Sequence, residues 1–201
     1  MKSASKKLFY ILIVIVSLWG AFYTENLTEK RQQEKIAQYN PEQLVADAMS
    51  NSLDGLQNRA VTLSELVAGI QTDSNLFAQK YGRTLGIGSP VFYVVKGQYD
   101  AFQLVQGEKL QGTMDGVAIT IPLKYIFGNT ARDASGWFNI DNFQNTMDFN
   151  AVSAAMNAYI SNQLKNFHFI PSTEIEFIGA VAIPANISQI EQITLIPYQL
   201  K

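Results

Sequence analysis

Residues 85–90, LGIGSP, separate two periodicities, and that change constrains the fold more than any other feature of this chain. Upstream, apolar residues recur at helical spacing. Asn40-Pro41 opens a helix, with Asn as N-cap, Pro at the first helical position and Gln43 three residues after the cap; Leu44, Val45, Ala48 and Met49 share one face. Thr62 and Glu65 are spaced as a capping box for a second helix with Leu63, Leu66, Val67 and Ile70 on its apolar face. A further helical turn from Ser74 ends at Tyr81-Gly82, where glycine suits a left-handed C-cap. Downstream, VFYVVKG, YDAFQLVQ and VAITIPLKYIF are rich in β-branched and aromatic residues, as strands are. Glycine-containing turns such as QGEKLQG separate them, and Asp115-Gly116 is a hairpin signal. One helix returns from about Asp148 to Gln163, with Phe149, Val152, Met156 and Tyr159 in step. Two strands close the chain: EIEFIGAVAI, read as half-buried with Ile175, Phe177, Gly179 and Val181 on one face, and QITLIPYQL. Helices, then a β-rich centre interrupted by one helix, define an α+β fold. Five or six short strands suit a small, partly open barrel, although composition does not select it over a sandwich.

Location is legible at the N-terminus. Lys2, Lys6 and Lys7 precede an uncharged run from Leu8 to Tyr23, about 24 Å long as a helix and slightly short of a ~30 Å hydrocarbon core. Lys7 is placed to snorkel at one end, and Trp19, Phe22 and Tyr23 suit the opposite interface. A cleaved signal needs small residues at the third and first positions before the cut, yet cuts after Gly20 or Ala21 put Leu18 or Trp19 three back. The reading is therefore a retained single-pass inner-membrane anchor over residues 1–23, with the N-terminus cytoplasmic and the main domain periplasmic. A polar helical stalk follows over 24–39, and an extracytoplasmic domain over 40–201.

Charge and cysteine content exclude several classes. Apart from the three leading lysines, 12 basic residues face 17 acidic ones, so the body carries no positive footprint for nucleic acid. The chain has no cysteine, which removes disulfides, thiolate metal sites and thiol nucleophiles. The single histidine, His168, lies between aromatics in NFHFIP and reads as packed or interfacial; one histidine builds no metal site. Glu174 and Glu176 share a strand face and read as solvated edge charges rather than paired acids. No G-x-S-x-G, Walker or dinucleotide motif occurs. The expectation is a non-enzymatic protein with no metal and no cofactor.

Two places remain as candidate binding residues. Lys96-Gly97 reads first as a strand end and turn, because a phosphate cradle needs more glycines and a helix start. The stretch GNTARDASGWFN sets Arg132 beside Asp133 and then Trp137 and Phe138. Its first reading is architectural: the arginine fork binds backbone carbonyls or a carboxylate while Asp133 caps a turn. In the second, Arg132 offers its fork to an anionic or polyhydroxyl ligand, with Trp137 or Phe138 stacking alongside.

The ordered set KYGR (80–83), VKG (95–97), G-x-x-x-R-D-A (128–134), FNIDNFQNTMDFNAVSAAMN (138–157), FIGA (177–180) and ITLIP (193–197) resembles a family of periplasmic lipoproteins catalogued as domain of unknown function 2291. The resemblance implies an envelope location and a core similar to the oligonucleotide/oligosaccharide-binding (OB) fold. It also implies an accessory role beside sugar-uptake ABC transporters, and it assigns no catalytic residue. Relatives usually carry a lipidated cysteine, which this chain lacks. The resulting reading is an anchored periplasmic accessory or binding protein, with ABC-transporter components or a carbohydrate as partner. Direct binding of a small carbohydrate or oligosaccharide is the alternative, and a structural envelope role is the second alternative.

Overall fold

The computed structural model describes residue 16 and residues 39–201. The expected anchor over 1–23 and stalk over 24–39 lie outside the described residues, save Val16 and Tyr39. Among the described residues no helix is long and apolar enough to cross a membrane.

Pro41–Lys201 forms one compact unit. It begins with α1 (Pro41–Arg59), a two-residue β1 (Val61–Thr62) and α2 (Leu63–Tyr81). Thr62 and Glu65 make the expected capping box. Asp73 leaves helical geometry at φ −159°, ψ 95°, and its Oδ1 accepts from Leu76 N at 2.9 Å, so the chain restarts its helix close to the Ser74 position anticipated. Gly82 differs from expectation. It is extended (φ −87°, ψ 163°) rather than left-handed, because Arg83 next to it already pairs with Phe92 through two backbone hydrogen bonds of 2.9 and 2.8 Å.

Strands β2 (Val91–Tyr99), β3 (Gln103–Val105), β4 (Lys109–Met114) and β5 (Val117–Pro122) follow. Then come the short helix α3 (Thr130–Ser135), α4 (Thr146–Leu164), β6 (Ile175–Ile183), β7 (Gln192–Thr194) and β8 (Ile196–Leu200). The strands form two four-stranded sheets, ordered β1-β2-β6-β8 and β3-β4-β5-β7. The α+β class holds, and the strands are not hydrogen-bonded into one closed barrel among the described residues. Leu195, fully buried, is the single residue between β7 and β8, where the chain passes from one sheet to the other.

One core lies between the sheets and α2. Val91, Tyr93, Val95, Phe177 and Val181 from the first sheet meet Leu110, Ile119 and Ile121 from the second, with Leu63, Leu66 and Ile70 from α2. Each large apolar side chain so buried contributes roughly 1.5–3 kcal/mol relative to exposure. Successive strand residues face opposite ways, so Phe92, Val94, Ile178 and Ala180 point to the other face of the first sheet. They are buried too, because α3 packs on β2 and β6, and α4 packs on α1 and β8. This corrects the half-buried reading of β6: it is a central strand paired with β2 and β8, covered on both sides.

The hairpin at Asp115-Gly116 is as expected, with φ of 53° and 79°. QGEKLQG is not a turn throughout. Gln106 and Gly107 alone take positive φ, and Lys109 already starts β4. Gly112 sits inside that strand because the Tyr99 and Phe102 rings lie where its Cβ would be, at 2.7 and 3.0 Å.

Candidate functional site

The Arg132–Asp133 pair lies on α3, whose residues from Ala131 to Ser135 are all buried. Arg132 Nε donates to Asp133 Oδ1 at 2.7 Å, and Nη1 donates to Phe149 O at 3.0 Å and Asn150 Oδ1 at 3.4 Å. Its guanidinium lies 3.6 Å from the Phe149 ring centroid, a cation–π stack. The fork thus joins α3 to the first turns of α4. At 3% exposure for each residue, the pair presents no surface to a soluble ligand, and its role in this structure is architectural. Among the described residues Asp133 Oδ2 is buried without a hydrogen-bond partner, and Asp133 does not cap a turn through its side chain. Ser135 Oγ instead donates to Arg132 O at 2.7 Å and accepts from Trp137 N at 3.2 Å.

Trp137 and Phe138 lie in the same cluster. Phe138 is buried; Trp137 is partly exposed, its ring 5.8 Å from that of Tyr198. Tyr198 donates its hydroxyl to Ala131 O at 2.6 Å, and burial pushes the hydroxyl pKa well above the usual phenol value. Four of the five sequence candidates therefore gather at α3. Lys96 does not join them. It donates through Nζ to Gln57 O at 3.1 Å and lines a separate cleft of about 490 Å³ with Ser64, Gln98 and Glu176. His168, read as packed or interfacial, is exposed rather than packed, its Nδ1 2.9 Å from Asn166 O. Glu176 is exposed and accepts from Gln98 at 2.7 Å, and Glu174 is exposed outside the strand.

Sequence reasoning missed the cleft beside α3. This cleft, about 700 Å³, lies between the end of α1, the second half of α2 and the helix-covered face of β2. Arg59, Lys80 and Arg83 supply its positive charge, and Phe77, Tyr81 and Phe92 supply rings. Arg59, the last residue of α1, donates through Nη2 to Ala134 O at 2.7 Å and also to Ser135 O. These are terminal carbonyls of α3, where a cation is favoured. Burial lowers the Arg59 pKa from its ordinary value, opposed by Tyr198 and reinforced by the neighbouring charge of Arg83. Arg83 is held by its backbone bridge to Phe92, and its Nε is buried without an acceptor among the described residues. Gly136 lets both guanidiniums approach. Left-handed at φ 66°, it has Arg83 Nη1 at 2.7 Å and Arg59 Nη1 at 3.6 Å from where a Cβ would be.

The signal for this cleft was present as text. KYGR supplies four consecutive lining residues and the R-D-A block supplies Ala134, so two stretches far apart in sequence meet there. Arg59, at the end of a helix, carried no signal of its own. Among the described residues no group of three or more His, Asp or Glu side chains is placed to hold a metal ion.

The fold is similar to that of an OB-fold protein from Thermotoga maritima, with a TM-score of 0.67 and 16% identity, covering 81% of this chain and 98% of that one. At that identity the likeness speaks for the fold alone. No curated protein matches the chain. The family model described as "Predicted periplasmic lipoprotein (DUF2291)" matches residues 12–201. With nearly its whole length matched, the chain belongs to the DUF2291 family of predicted periplasmic lipoproteins.

Proposed function

We propose that this protein is a non-enzymatic binding module, tethered to the inner membrane with its folded domain in the periplasm, serving as accessory to a carbohydrate ABC transporter. Family membership supports a periplasmic, membrane-associated location. The chain has no cysteine to carry a lipid, so the apolar run from Leu8 to Tyr23 behind three lysines takes over the tether as a single-pass anchor. The observation that carries the binding role is the cleft of about 700 Å³ beside α3, lined by cations and aromatic rings. Clefts with a few placed polar groups on an apolar wall are the usual form of a small-molecule seat.

The test has two arms. A C-terminal alkaline phosphatase fusion is expected to be active, and the domain to be protease-accessible in spheroplasts but not in intact cells. Mild detergent extraction of the tagged full chain is expected to bring down permease or solute-binding subunits. A cytosolic domain overturns the location, and recovery without transporter subunits overturns the accessory role.

A further inference from the structure

We propose that Arg59 and Arg83 form a seat for a small organic oxyanion, its carboxylate or phosphate held between the two guanidiniums and its body resting against Phe77 and Tyr81. The proposal rests on the reading of this cleft as a ligand site and adds the class of ligand. Its first support is the contrast between arginines. The protein seals Arg132 away from water and gives it a carboxylate at 2.7 Å. Arg59 and Arg83 converge on one spot beside Gly136, and neither has a carboxylate within 4.0 Å among the described residues. Two cations set together without a counterion are electrostatically incomplete, and an oxyanion between them completes the arrangement with charge-assisted, fork-shaped hydrogen bonds.

The second support is hydrogen bonding. Arg59 commits Nη2 to the end of α3, whereas Arg83, among the described residues, makes no side-chain hydrogen bond and keeps its Nε buried without an acceptor. An acceptor entering the cleft is the partner that group lacks. The third is the charge of the lining. Lys80 adds a further positive charge, lying 4.7 Å from the Tyr81 ring centroid. Glu65, the acid of the lining, turns Oε2 to Thr62, accepting from N at 2.7 Å and Oγ1 at 2.9 Å, and its one negative charge faces the three positive charges of Arg59, Lys80 and Arg83. A locally positive cleft on an acidic body focuses the field on anions. Phe77 and Tyr81, with centroids 4.8 Å apart, present an apolar wall to the rest of the ligand.

The experiment titrates the full chain in a non-ionic detergent by calorimetry with inorganic phosphate, galactose, galacturonate and galactose 1-phosphate. The last two carry the same body with a carboxylate or a phosphate. Binding of at least one anion, weakening as sodium chloride rises, with galactose at least tenfold weaker, is the expected result. Arg83→Gln removes no hydrogen bond seen among the described residues, and it is expected to weaken anion binding at least tenfold with an unchanged melting temperature. Arg83→Lys is expected to recover part of that loss. Anion binding that Arg83→Gln leaves intact overturns the proposal. Galactose binding as tight as galacturonate, and equal in the variant, also overturns the anionic class while leaving the cleft as a ligand seat. Absence of binding by every probe overturns the anion seat, and the cleft reading with it; the location and co-purification arms stand or fall separately.

Discussion

Arg132 Nε and Asp133 Oδ1 lie 2.7 Å apart, an ion pair between consecutive residues that are each 3% exposed. Neighbours in sequence point away from each other on a regular helix. Here α3 is a short helix in which both side chains turn inward and the guanidinium reaches α4. Removing one partner strands the other charge in the interior. Arg132→Ala and Asp133→Ala are each expected to lose about 3–5 kcal/mol, whereas an Arg132→Met/Asp133→Leu double variant loses less than either. Urea unfolding of the three variants checks this; single losses below about 1 kcal/mol would mean the pair is not holding α3 in place.

Tyr198 links β8 to α3 through its hydroxyl, which donates to Ala131 O at 2.6 Å in a fully buried setting. Tyr198→Phe keeps the ring contact with Trp137 and removes only this hydrogen bond between the two elements. The expected loss is about 0.5–1.5 kcal/mol, read from denaturant midpoints. A neutral result would show that the hydroxyl does not help hold β8 to α3.

Gly179 sits at the register shift between β6 and β8, and an added Cβ would lie 2.7 Å from Ile196 O and 2.5 Å from Leu195 Cδ2. A backbone oxygen cannot swing aside as a side chain does. Gly179→Ala is therefore expected to destabilise by about 1–3 kcal/mol. Gly55→Ala, with nothing within 4 Å inside α1, is expected to stabilise by about 0.5–1 kcal/mol. Thermal melts of the two alanines should move in opposite directions.

Glu65 carries a pH dependence of known sign. Hydrogen bonds from the Thr62 backbone, and then from its side chain, lower the Glu65 pKa below its ordinary 4.5. With the folded value depressed, the unfolded chain binds more protons between the two values, so this contribution is fully present above about pH 4.5 and is lost as pH falls through the folded value. The difference in urea midpoint between wild type and Glu65→Gln should shrink from pH 6 towards pH 3. Thr62→Ala is expected to cost about 1 kcal/mol at neutral pH. A difference that does not vary with pH would show that the box does not depend on a charged Glu65.

Features that depend on neighbouring residues were legible. The Thr62–Glu65 box, the restart of α2 near Ser74, the Asp115-Gly116 hairpin and the apolar face of α4 all follow from side chains within a few positions of each other. β4 was obscured by its own residues, because Gly112 in a strand resembles a turn until the rings of Tyr99 and Phe102 are seen to occupy its missing Cβ. Burial of both faces of β6 was likewise hidden: alternation reports one covered face, and the second was supplied by α3, far away in sequence.

The candidate site divides in the same way. The stretch around Arg132 drew attention through its adjacent charges, and either reading of it was consistent with the local sequence. Only the packing of α3 against β2, β6 and α4 decided that Arg132 is enclosed and neutralised while Arg59 and Arg83 line an open cleft. By itself the sequence determined the α+β class, most element positions and the charge balance, since helix caps, turn dihedrals and apolar periodicity act over a few residues. Tertiary structure alone decided the division into two sheets and which arginine meets a carboxylate and which a cleft, because burial and ion pairing depend on distances between chain segments that no local pattern encodes.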